Sequence, residues 1–172
     1  MKKILLTWYG ITDLRASFEI EYSNGPVFSA LMAENYADVL ILGFTNKEKN
    51  NTNEEDFKKE LLESQIAFKE NRQFDIWSFI NKYSNTDLAH NHFISWIKQK
   101  LEKEEIKTGL NFHSVELSHL NDTEGIYNIA VQALDIVEKW KVEKEVFLYL
   151  SPGTPVMAFV WAFAALRYPN LN

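Results

Sequence analysis

The residue types that could do chemistry concentrate at Ser151-Pro152-Gly153-Thr154-Pro155, a turn set between two apolar runs, Val146-Phe147-Leu148-Tyr149-Leu150 ahead of it and residues 156–166 behind. Apolar run, tight turn, apolar run reads as a buried parallel strand followed by a buried helix. Thr154 is of a type that caps helices and Pro155 suits the first helical position, so the helix is predicted to begin at Pro155. A strand that ends in a Gly-bearing loop at a helix N-terminus gathers backbone N–H groups and the positive end of the helix dipole at one point, where a phosphate is favoured. Gly153 would let a ligand approach the backbone closely, with the hydroxyls of Ser151 and Thr154 on either side.

A second loop can meet the first. Residues 3–9 read as the opening strand, and the loop 10–15 carries Thr12, Asp13 and Arg15 off its C-terminal end. In open parallel sheets ligands sit beyond the strand C-termini, so this loop is a candidate partner for the one at Ser151; the alternative is a solvated turn. Asn121, Asp122 and Thr123 stand before a helix predicted over residues 124–140, where capping alone explains Asp122 and a ligand contact is the alternative.

Other chemistries find less support. The chain has no cysteine, which removes disulfides, thiolate metal sites and a Cys nucleophile. His90 and His92 are two apart in a helical stretch and face different ways, so no metal site is assigned. Ser151 lacks the Gly-x-Ser-x-Gly elbow, because Tyr149 stands at the first glycine position, and no base can be named for it. No catalytic residue and no cofactor are assigned.

The elements that must position these loops follow from periodicity. Residues 38–43 are a short continuous apolar run and read as a second buried strand, whereas residues 110–117 alternate like a strand nearer an edge. Residues 27–35 have helical spacing. Residues 54–81 read as one long amphipathic helix and 88–105 as another, too much for one crossover, which suggests a helical insertion over about 54–105. Its aromatic residues Phe74, Trp77, Phe79, Phe93 and Trp96 are expected to pack on the core, with a dimer surface as the alternative. The whole predicts a three-layer Rossmann-like α/β domain with a mostly parallel sheet of at least four strands, near residues 3–8, 38–43, 110–117 and 146–150, in the order 3-2-1-4. Pro169-Asn170-Leu171-Asn172 looks like the approach to a further strand, so the chain is read as a single domain, residues 1–172, that is either a fragment of a longer protein or a domain whose sheet edge is completed by something else.

A chain of 172 residues suits one domain, and its net charge of −6 argues against coating long nucleic acid while leaving a small nucleotide open. No apolar stretch approaches the roughly 20 residues of a membrane span, so a cytoplasmic protein is expected.

The turn itself carries a resemblance. Ser151-Pro152-Gly153-Thr154-Pro155-Val156-Met157-Ala158 resembles the signature loop of the CARF family, CRISPR-associated Rossmann-like sensor domains, whose turn reads Thr-Gly-Gly-Thr-Lys-x-Met or Ser/Thr-Pro-Gly-Thr-x-x-Met; Gly153, Thr154 and Met157 match. Pro155 stands where many relatives carry Lys. The opening Leu5-Leu6-Thr7-Trp8-Tyr9-Gly10-Ile11-Thr12-Asp13-Leu14-Arg15 and the later Asn121-Asp122-Thr123-Glu124-Gly125-Ile126-Tyr127 are similar to the sensor region of sigma-54-dependent regulators related to the RNA-repair activator. The resemblance implies binding of a small phosphate-rich nucleotide, a cyclic oligoadenylate or an RNA end, by Thr7, Trp8, Tyr9, Gly10, Thr12, Asp13 and Arg15, by Asn121, Asp122 and Thr123, and by Ser151, Pro152, Gly153, Thr154 and Met157. It also implies a homodimer and an effector in the same or a partner chain; the alternatives are ring cleavage and an unrelated nucleotide-dependent enzyme. On this reading Gly153→Val abolishes nucleotide binding and leaves the fold largely intact.

Overall fold

The computed structural model describes residues 1–49 and 51–168; Pro169-Asn170-Leu171-Asn172, with the strand approach expected there, lie outside the described residues. Four strands form one parallel sheet, β1 (Lys2–Trp8), β2 (Asp38–Thr45), β3 (Gly109–Glu116) and β4 (Lys144–Tyr149), in the order β3-β2-β1-β4. Leu6 of β1 pairs with Leu40 of β2 on one side and Leu148 of β4 on the other. Ile4, Leu5 and Leu6 and the run Val39 to Leu42 are buried on both faces, which is why their sequences are continuously apolar. β3 lies at an edge and is only partly covered: Leu110 and Phe112 pack on the layer of α2 and α5, and Val115 on that of α6 and α7, so neither face is wholly solvated.

The helices divide between the faces. After β1 come α1 (Ile11–Ser17) and α2 (Pro26–Ala33); after β2 come α3 (Glu54–Lys69), α4 (Ile76–Tyr83) and α5 (Asp87–Lys103); α6 (Thr123–Glu138) joins β3 to β4, and α7 (Pro155–Ala165) follows β4. One core layer packs Leu6, Trp8, Leu40 and Leu42 against α6 and α7, and the opposite layer packs Leu5, Val39 and Ile41 against α2 and α5. A third cluster, centred on Leu14, Phe18, Phe57, Phe79 and Tyr83, fastens α3 and α4 to α1. This is a three-layer Rossmann-like architecture with the insertion docked beside α1. The connection leaving β1 runs to one face and that leaving β4 to the other, so the neighbours β1 and β4 flank the topological switch point where such sheets open a crevice.

Three expectations need correction. Residues 10–15 are not a loop: α1 begins directly after Gly10, and Asp13 reaches back to accept the Gly10 N–H at 3.0 Å. Two helical turns are too short for periodicity to register, but the aspartate three residues into the helix is a capping signal. Residues 54–81 are not one helix either. Asn71 adopts φ 51°, and Arg72 N–H donates to the Ala67 carbonyl at 2.8 Å, a left-handed stop, before Asp75 caps α4 by accepting from Ser78 N at 3.0 Å. The aromatic residues of the insertion do not form a single face: Phe79, Phe93 and Trp96 are buried, whereas Trp77 is exposed. Large exposed apolar side chains gather instead on α7, as Phe159 and Phe163 followed by the cap residue Leu166, and on α3, as Leu62 and Ile66.

Candidate functional site

Beyond the C-terminal ends of β1 and β4 lies a cavity of about 370 Å³. Trp8, Tyr9 and Gly10 line it from the end of β1, and Ile11, Thr12, Asp13 and Leu14 continue along α1. Ser151, Pro152, Gly153, Thr154 and Met157 line it from the turn after β4, while Phe44, Pro26, Asn85 and Leu120 close it from neighbouring elements. Tyr9 and Ser151 thus open at the same end of the sheet, as the expected strand order requires.

The two turns touch. A Cβ placed on Gly10 would stand 3.3 Å from the backbone nitrogen of Gly153. Gly153 has φ +94°, a conformation L side chains rarely adopt, and a Cβ there would lie 3.0 Å from Met157 Sδ. This corrects the expectation for Gly153→Val: the substitution strains the turn itself, so it disturbs folding along with any ligand and does not isolate binding. Thr154 caps α7 as expected. Its Oγ1 accepts from Met157 N at 3.2 Å and donates to the Leu120 carbonyl at 3.4 Å, tying the start of α7 to the segment before α6. The N–H groups of Gly153, Thr154 and Val156 donate to no other described residue, which leaves them at the positive end of α7 as free donors.

Asp13 plays a different part. Its side chain is 1% exposed, and its two carboxylate oxygens accept from Gly10 N at 3.0 Å and Val27 N at 2.8 Å, clasping the starts of α1 and α2 together. Gly10 therefore has no free N–H to offer an anion. Burial pushes the Asp13 carboxyl up to about 6, with the two backbone donors partly offsetting the desolvation.

Tyr9 turns its ring away from solvent. It stacks on Phe93 at 4.2 Å between centroids, and its hydroxyl is hydrogen-bonded to His90 Nδ1. The His90 Nε2 pairs with Thr45 Oγ1 at 2.8 Å, and Thr45 in turn bonds the Ser114 hydroxyl, so a polar chain, buried at His90 and Thr45 and reaching the surface at Ser114, runs across the ends of β1, β2 and β3. Burial lowers the His90 pKa to about 4, keeping the ring neutral, and raises that of Tyr9. His92 is separate, its Nε2 donating to the Ser17 carbonyl at 2.8 Å, and among the described residues no cluster of metal-ligating side chains forms.

Several sequence-predicted residues stand outside the cavity. The Thr7 hydroxyl is spent inside the sheet on the carbonyls of Trp8 at 2.7 Å and Tyr149 at 3.2 Å. Arg15 is paired with Glu21 at 3.0 Å. Asp122 caps α6 by accepting from Gly125 N at 2.9 Å and binds Ser118; these bonds to Gly125 and Ser118 hold its carboxyl below the usual range. Asn121 and Thr123 flank it on the exposed surface, and none of the three lines the cavity. Sequence reasoning missed Asn85, Phe44, Pro26 and Leu120. Asn85 stood in plain view between two predicted helices, but only the docking of the insertion brings it to the crevice. The lining contains no Lys or Arg.

Fold and cavity together define a Rossmann-like domain with a crevice at the β1/β4 switch point. No protein-family model matches the chain, and no curated protein does either. The fold is similar to that of Enterococcus italicus Csm6 bound to cyclic hexa-2'-fluoro-hexa-dAMP, with a TM-score of 0.57 and 16% identity. The likeness covers 98% of this chain and 32% of that one, so this chain spans about a third of that protein's length. Among the described residues no helix is long and apolar enough to cross a membrane.

The clasp sets a pH dependence. A carboxyl whose folded pKa is raised from 3.8 to about 6 contributes stability that is present below pH 4 and lost as pH rises through 6. Asp13→Asn is expected to remove that slope and, by turning an acceptor toward a backbone N–H as a donor, to cost about 1–3 kcal/mol at pH 5. Urea unfolding of parent and variant from pH 4 to 7 measures both; a variant with the parent's slope would show that Asp13 does not set it.

Proposed function

We propose that this chain is a sensor domain that binds a small phosphate-rich nucleotide, a cyclic oligoadenylate in preference to an RNA end, and passes the bound state to an effector attached to it or in a partner chain. A sigma-54-dependent transcription activator is the effector to which the sequence resemblance points. One observation carries this reading: two glycine turns meet over a cavity at the switch point, beside the free N–H groups at the start of α7. The likeness to a protein whose solved structure holds a cyclic hexanucleotide supports it. Gly153, Thr154 and Val156 would receive phosphate oxygens, and the apolar walls would receive the rest of the ligand. Ring cleavage would need a group to take the proton of a ribose hydroxyl. The ionisable side chains of the lining are Tyr9 and Asp13, each engaged elsewhere, which favours sensing over turnover.

The sensor is proposed to act as a homodimer, with each protomer presenting its Gly10 and Gly153 turns to a shared ligand. α7 starts at the cavity and leaves Phe159, 72% exposed, and Phe163 uncovered, so a second copy seated there would lie next to the site. Signalling then follows if the ligand prefers one dimer geometry, and the shift is limited by its difference in affinity for the two.

Binding, melting and sedimentation measurements test this. Purified protein incubated with labelled cyclic tetra- and hexa-adenylate should retain one of them without producing linear product. With few cations to release counterions, affinity should fall only shallowly with salt. Thr154→Ala should lower the melting temperature by the loss of a cap worth about 1 kcal/mol and should also weaken binding. A variant that melts lower yet binds normally would make the turn a helix start and nothing more. In sedimentation, the dimer should persist at high salt and be lost in Phe159→Asp, since apolar contact is screened far less than charge pairing. A parent that is monomeric at every concentration would refute the shared site.

A further inference from the structure

The cavity is furnished for a flat, polar-edged ring more than for an anion. Its walls carry Ile11, Pro26, Phe44, Leu120 and Met157 and no Lys or Arg, and the free amides of α7 stand along one border only. Into this apolar surround the insertion delivers Asn85. The residue is held in a left-handed conformation, φ 63°, between α4 and α5. Both neighbours are anchored: Ser84 N–H donates to the Ile80 carbonyl at 2.7 Å, and Thr86 caps α5 by accepting from Ala89 N at 3.2 Å. The carbonyl of Asn85 accepts from Asn46 N at 2.9 Å, while its carboxamide makes no hydrogen bond with another described residue. The backbone is fixed and the polar side chain is left uncommitted at a cavity. Trp8, which also lines the cavity and is 3% exposed, has a buried indole N–H without an acceptor.

We propose that this cavity receives an adenine base of the ligand and that the Asn85 carboxamide reads the base's edge. The inference rests on the sensor reading and deepens it. A carboxamide presents a donor and an acceptor side by side, the complement of the adenine exocyclic amine and N7. Hypoxanthine replaces that amine with a carbonyl and so offers the carboxamide two acceptors along the same edge. The phosphates then lie at the border of the cavity, toward the N–H groups of Gly153, Thr154 and Val156, so base and phosphate are recognised by different walls. Asn85 is thereby a specificity-determining residue, supplied by the insertion and not by either glycine turn.

The test compares cyclic hexa-adenylate with cyclic hexa-inosinate, titrated into the parent protein and Asn85→Gly, with melting temperatures measured alongside. Glycine tolerates the left-handed backbone, so the junction between α4 and α5 is kept while the carboxamide is removed. The parent is expected to prefer the adenylate ring by about ten-fold or more, and Asn85→Gly to lose that preference with little change in melting temperature. If the glycine variant melts far lower, Asn85→Asp keeps the size of the side chain and removes the donor to N7, so it is expected to weaken binding of the adenylate ring by about ten-fold or more. A parent that binds both rings equally, a glycine variant that keeps the preference, or an aspartate variant that binds the adenylate ring as the parent does, overturns the assignment of Asn85 while leaving the sensor reading standing. A parent that binds neither ring rejects the sensor reading and this inference with it.

Discussion

The site depends on the contact between two backbones at the ends of β1 and β4. These strands pair directly, yet their connections leave toward opposite faces of the sheet, so no helix covers the space just beyond them. The chains emerging from them must pass each other with almost no clearance, Gly10 against Gly153. Gly153 answers that constraint with a left-handed φ of +94°, and the turn it makes aims the start of α7 back at the crevice. The free amides, the cavity and the capping role of Thr154 all follow from that one crossing. It also explains why the turn after β4 holds its glycine for the fold as much as for any ligand.

Around this crossing the walls are fixed by buried polar groups. Asp13 ties α1 to α2 through backbone N–H groups at the cost of holding a carboxylate away from water, which its raised pKa records. On the other side, Tyr9, His90, Thr45 and Ser114 form a chain of hydrogen bonds across three strand ends. Gly43 leaves room for it, since a Cβ there would stand 2.6 Å from the Phe112 ring and 2.8 Å from that of Tyr9. Satisfied networks of this kind rigidify a surface, because a buried polar group left without its partner is expensive. The insertion belongs to this frame. His90 and Phe93 come from α5, and Phe18 packs against Phe57 and Phe79 of α3 and α4, so the insertion that secures Tyr9 also places Asn85.

Much of this was legible in the sequence. Continuous apolar runs marked β1, β2 and β4, the alternation of residues 110–117 marked an edge strand, and Thr154-Pro155 marked the start of α7 to the residue. The crossover rules then gave the strand order and placed the two glycine turns together. What could not be read was tertiary in origin. Two-turn α1 is too short to show a period, and Asn71 terminates a helix by adopting a conformation that composition alone does not force. Thr7 near the end of a strand, and Asp13 and Arg15 in the loop-like stretch after it, have polar side chains that looked available, but each is consumed by the fold: Thr7 by strand carbonyls, Asp13 by backbone amides, Arg15 by Glu21. Asn85 shows the converse, a turn residue brought to the crevice by a contact between segments 39 residues apart in sequence, Asn46 with Asn85.

The central claim, that the meeting of the Gly10 and Gly153 turns is the ligand site, is tested most directly by following backbone amide resonances of the isotope-labelled protein as cyclic hexa-adenylate is added. The expected result is a set of shifts concentrated at residues 8–13 and 151–157, largest for the Gly153, Thr154 and Val156 amides, which have no hydrogen-bond partner among the described residues. Shifts centred elsewhere, for example along β3 and α6 around His113 and Gln132, with the amides of the two turns unmoved, would contradict it.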